Sequence, residues 1–148
     1  MKRIMKYILF GMVLSCLLVL TGCKQNNAYK EQLQDPELFH SAMSNLTDVI
    51  VYDIFSPPVA SRVYMYPSVA AFSIIQKAYP DKYNSLEGQL TDLNAIPKPN
   101  NEDVDFHLAS IHAFTVVGKY FIFSEQKVPD FQNETYKKLI NRGLHKKK

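Results

Sequence analysis

Two consecutive prolines, Pro57 and Pro58, stand between two runs whose apolar residues recur at helical spacing. A proline lacks a backbone N–H and its ring clashes with the preceding turn, so a helix cannot run through the pair, although either ring fits the first turn of a new helix. The stretch from Asp48 to Phe72, DVIVYDIFSPPVASRVYMYPSVAAF, is therefore read as two helices and a hinge. Upstream, Asp35-Pro36-Glu37 supplies an N-cap, a proline at the first helical position and an acid in the first turn. Leu38/Phe39, Ala42/Met43, Leu46, Val49/Ile50 and Ile54 then mark one amphipathic helix to about Phe55. Downstream, Ser56 can cap, and Val59/Ala60, Val63/Tyr64, Pro67, Ala70/Ala71, Ile74/Ile75 and Ala78 form one stripe. The stripe keeps its phase through Pro67, which predicts a kinked but unbroken helix, antiparallel to the first.

A third helix is predicted from about Asp105 to Phe123, where apolar residues point in nearly every direction. Such a helix belongs in the middle of a protein. A fourth runs from about Pro129 to Arg142 with Phe131, Tyr136, Leu139 and Ile140, and stops at Gly143. The connection 80–104 carries proline and asparagine and is long for a compact domain. No strand-like alternation competes with these elements. The expected fold is all-α, a bundle of about four helices forming part of a larger helical fold, over 35–143.

The chain begins MKRIMKYILFGMVLSCLLVLTGC, with a basic start, an apolar run from Tyr7 to Leu20 and small residues before Cys23. That run is shorter than the ~20 residues a spanning helix needs, so 1–22 reads as a cleaved signal. Leu20-Thr21-Gly22-Cys23 resembles the bacterial lipobox, which implies lipid (diacylglycerol, palmitate) on Cys23, attachment to a membrane and a place in the bacterial cell envelope. Residues 23–34 are polar and read as a tether, and 144–148 as a basic tail. With Cys16 removed and Cys23 lipidated, no thiol is left for a disulfide, and the fold stands on packing alone. The formal charge of +3 is carried by Lys2, Arg3 and Lys6, and without them 14 basic residues face 14 acidic ones. Charge therefore offers no ground for a nucleic-acid partner.

Chemistry-bearing residues are few. His107 and His112, five apart on one helix, lie more than a hundred degrees apart and cannot share a metal; ordinary hydrogen bonds at partial burial suffice for them. Asp103 and Asp105 open like a calcium loop but lack its glycine and closing glutamate, and capping explains them better. Ser61, Ser68 and Ser73 have no nucleophile motif around them. Arg62, the one arginine between the signal and Arg142, is expected to pair with Asp53 or Asp48 across the hinge rather than to bind an anion.

LTDVIVYDIFSPPVASRVYMYPSVAAF, followed by YNSLEGQL, AIPKP and VGKYFIFSE, resembles the N-terminal helical region of the type 2 phosphatidic acid phosphatase superfamily, which includes the vanadium-dependent haloperoxidases. The resemblance implies a helical fold and, in a full-length relative, phosphate or vanadate held by a lysine with a later Arg-Pro, a Pro-Ser-Gly-His motif, and Ser-Arg followed by a histidine. None of these motifs occurs here: Pro67-Ser68 precedes Val69-Ala70, and Ser68 stands where the histidine after Ser61-Arg62 would be needed. No catalytic, cofactor or metal residue is carried over. The chain reads as a scaffold portion that stops before the catalytic motifs, with a downstream catalytic polypeptide or self-association as candidate partners. The alternative is a small helical lipoprotein that binds an envelope component. Either way, an exposed apolar patch involving Phe114, Phe121 or Phe123 is expected on the third helix.

Overall fold

A computed structural model of the protein describes residues 28–97 and 104–144. The signal 1–22, Cys23 and most of the basic tail lie outside them. Among the described residues five helices follow in order: α1 Ala28–Gln34, α2 Pro36–Tyr52, α3 Pro57–Ala78, α4 Phe106–Lys119 and α5 Lys127–Asn141. Among the described residues there is no strand, and the all-α class holds.

Asp35 divides the first two helices. Its backbone N–H donates to the carbonyls of Glu31 and Gln32 and closes α1. Its side-chain Oδ1 accepts from the Glu37 N–H at 2.9 Å and opens α2, as the Asp-Pro-Glu signal predicts. The double proline likewise opens α3, and Pro67 sits buried inside a helix that continues past it.

The tether expected over 23–34 is corrected for 28–34, which is helical. Tyr29 and Leu33 are four apart and share one face, and Leu33 is 3% exposed in a cluster with Leu38, Ile111 and Leu139. The Tyr29 N–H also donates to the Arg142 carbonyl at 3.2 Å, joining α1 to the end of α5. Two apolar residues among polar ones are too few to show periodicity, yet enough to dock a short helix.

α3 lies closest along its length to α4, and α2 touches α3 sparingly. Gly118 stands at that contact, where a Cβ would lie at ordinary van der Waals distance from the Pro67 ring, 3.5 Å, and from Leu46 of α2, 3.6 Å. Between α2 and α3, larger groups intervene, among them Tyr64, whose hydroxyl donates to Thr47 Oγ1 at 3.0 Å.

α4 contacts each of the other four helices, as its all-round apolar character predicts. It ends at Lys119, earlier than Phe123, while Asp105 caps its start by accepting from the N–H groups of His107 and Leu108. Phe114, expected on an exposed patch, is instead 1% exposed and meets Phe39 edge-on, ring centroids 5.1 Å apart. The core around it joins Ala42, Leu46, Val49 and Ile50 of α2 to Val63 and Ala71 of α3.

The connection after α3 is folded back on that helix. Glu87 Oε1 accepts from Lys77 Nζ at 2.7 Å and from the Ile96 N–H at 3.0 Å. Gln76 donates to the Tyr83 carbonyl, and Tyr83 meets Phe72 edge-on at 5.9 Å. A stretch that reads as loop thus acquires fixed partners over 80–97.

Candidate functional site

At the hinge, the expected ion pair is absent. Arg62 is exposed, and no ion pair joins it to Asp53 or Asp48. Asp53 turns the other way, onto the segment linking α4 to α5. Its Oδ2 accepts from the N–H groups of Phe123 and Ser124 at 2.8 and 3.1 Å, and its Oδ1 accepts from Ser124 Oγ at 2.6 Å. Partial burial pushes the Asp53 carboxyl up, but these donors, with the charge of Lys127, outweigh it and hold the group below the usual carboxylate range. An arginine would have to leave water to reach that carboxylate, whereas backbone N–H groups are already in place.

Apolar side chains gather on the surface around this junction. Ile54, in the hinge, is 88% exposed, and in the segment linking α4 to α5 Phe123 is 79% and Tyr120 81% exposed. The Phe55 and Phe123 rings lie 5.0 Å apart, Phe121 stacks on Tyr66 at 4.8 Å, and Lys127 Nζ sits 4.2 Å from the Tyr52 ring. Phe121 and Phe123 therefore do contribute to an exposed apolar surface, although from beyond the end of α4.

The two histidines each engage a tyrosine and face different surroundings. His107 Nε2 lies 3.0 Å from the Tyr79 hydroxyl, and His112 Nδ1 lies 2.8 Å from that of Tyr136. Burial raises the Tyr136 phenol above its ordinary value. Ser61 and Ser68 donate to the carbonyls of Pro58 and Tyr64 within their own helix, and Ser73 is buried. Among the described residues, no three His, Asp or Glu side chains converge on a point that could hold a metal ion.

A cleft of about 710 Å3 lies between α1, the start of α2, one face of α3 and the first turns of α4. That volume lies in the range of ligand pockets, which are apolar with a few placed polar groups. Leu33, Phe39, Phe72, Ile75 and Ile111 form its apolar walls. Its polar side chains include the Tyr79–His107 pair and Lys82, whose Nζ lies 5.3 Å from the Tyr79 ring. Reasoning from sequence had His107 but missed Tyr79, Lys82 and Tyr83. Their only sequence signal is aromatic and basic residues clustering in KAYPDKY, just where α3 ends.

No protein-family model matches the chain, and no curated protein does. Among solved structures, one described as that of the first bacterial vanadium-dependent iodoperoxidase is similar over 73% of this chain at 38% identity, with a TM-score of 0.68. The match covers 26% of that protein, so this chain spans about a quarter of its length.

Proposed function

We infer, from a chain that shares the helical fold of a vanadium-dependent haloperoxidase region, that its role is architectural. It is the N-terminal scaffold portion of a lipid-anchored acid phosphatase or haloperoxidase-like protein, without activity of its own. The observation that carries this reading is the 38% identity confined to about a quarter of the iodoperoxidase. The arrangement of charged groups supports it. Catalysis of phosphoryl transfer, or of chemistry at vanadate, needs several cations or N–H donors held around one oxyanion. Here Arg62 is exposed on α3, His107 lines the cleft and His112 faces Tyr136. These residues do not make a cradle for vanadate or phosphate.

The purified chain is expected to release no phosphate from p-nitrophenyl phosphate and to oxidise no halide, with or without vanadate. Activity that disappears on mutating His107 or His112 would overturn the reading. Activity that arises only on adding a polypeptide encoded downstream and carrying Pro-Ser-Gly-His would identify these helices as the supporting part of a divided enzyme.

Lipid on Cys23 would place the chain at a membrane of the bacterial envelope. Among the described residues no helix is long and apolar enough to cross a membrane. Cys23→Ser should abolish both acyl labelling and partitioning into a detergent phase; labelling that persists in the variant would exclude this anchor. A second reading, an envelope binding module, is favoured by the exposed apolar surface around Ile54 and Phe123. Concentration-dependent self-association that is lost in Phe123→Ser would support it.

A further inference from the structure

We propose that the cleft binds a single-chain amphiphile with an anionic head, lying along α3. The shape points to a linear ligand. Ser68, Phe72, Ile75 and Tyr79 all line it and are spaced along one face of α3. At the rise of an α-helix these eleven steps span roughly 16 Å, the reach of a medium-length acyl chain. Opposite them, Leu33, Phe39 and Ile111 close the apolar wall.

The polar end selects the head. Lys82 is exposed and joins no ion pair among the described residues, which leaves its ammonium open to a bound anion there. The Tyr79–His107 hydrogen bond can run in either direction. An anion favours the arrangement in which His107 Nε2–H donates to the phenol oxygen, because the Tyr79 O–H is then released to donate to the ligand. Among the described residues one carboxylate, Asp35, also lines the cleft, just ahead of α2, with Oδ1 already accepting from the Glu37 N–H. A cationic head would meet Lys82 and gain at most that part-used carboxylate. An anionic head gains an ammonium and a hydroxyl.

The inference uses the cleft alone and holds whether or not the scaffold reading does. It is tested by calorimetric titration of the Cys23→Ser chain, so that no attached lipid competes, with dodecanoate below its micelle concentration. Saturable one-to-one binding is expected, at least tenfold tighter than that of dodecyltrimethylammonium or dodecanol. Lys82→Gln should bring dodecanoate to the level of dodecanol and leave dodecanol unchanged. Ser68→Phe and Ile75→Trp, with helical circular dichroism retained, should block all three ligands. A measurement on the unfilled cleft stands beside these variants: a nitroxide at the tail of the fatty acid should broaden methyl resonances of Ile75 and Ile111. Broadening of Ile54 instead, the absence of saturable binding, or equal binding of the cationic amphiphile would each overturn the proposal.

Discussion

Ile54 combines a β-branched side chain that is 88% exposed with a backbone φ of 55°. In that left-handed region a β-branched Cβ crowds the neighbouring carbonyl, and an exposed side chain has little packing to offset the strain. Ile54→Gly is expected to stabilise the protein by about 0.5–1 kcal/mol, the strain relieved less the added freedom of glycine in the unfolded chain. Chemical denaturation checks this; a loss of stability would mean that the side chain makes contacts in solution. Its neighbour Asp53 carries a signed pH dependence. Because its folded pKa is depressed, its contribution is fully present above the ordinary aspartate value near pH ~4 and is lost as pH falls through the lower folded value. Asp53→Asn should cost about 1–2 kcal/mol at neutral pH and flatten the fall in stability below pH ~4. Arg62→Gln should do neither. The charge at Asp53 was legible in the sequence, but its partners were not. Two of the three hydrogen bonds it accepts come from backbone N–H groups 70 and 71 positions away, which no pattern of side chains announces.

Elements were legible in proportion to the local signals that set them. The Asp-Pro-Glu cap, the double proline and the all-round apolar run gave α2, α3 and α4 because capping, ring geometry and burial act within a turn or two of the residues concerned. α1 escaped notice since Leu33 is buried by residues from α2, α4 and α5, and the cleft escaped for the same reason: its walls come from four helices whose angles no local pattern fixes. The connection 80–97 is the clearest case. Its order rests on Glu87, which receives both Lys77 and the Ile96 N–H, and these donors, Lys77 first, hold its carboxyl below the usual range. In Glu87→Ala both partners are lost. Chymotrypsin should then cut at Leu90 or Leu93 several-fold faster while helical circular dichroism is unchanged; equal cleavage rates would show that Tyr83 and Phe72 hold the segment without it.

For the molecule as a whole, the bonds from Asp53 to Phe123 and Ser124 imply an order of events in time. They join positions separated by 70 residues, and they can close only after α3 and α4, which lie between, have packed along each other. Ordering so long a loop costs chain entropy before any bond is gained. The junction should therefore form after the folding barrier, and its loss should act on escape from the native state rather than on entry to it. In stopped-flow kinetics, Asp53→Asn is expected to leave the folding limb of the chevron in place and raise the unfolding limb about five- to thirtyfold, as a loss of 1–2 kcal/mol requires. Slowed folding with an unchanged unfolding rate would instead make the hinge part of the nucleus. A carboxylate that looks like a detail of one turn thus acts as a latch on the lifetime of the folded chain.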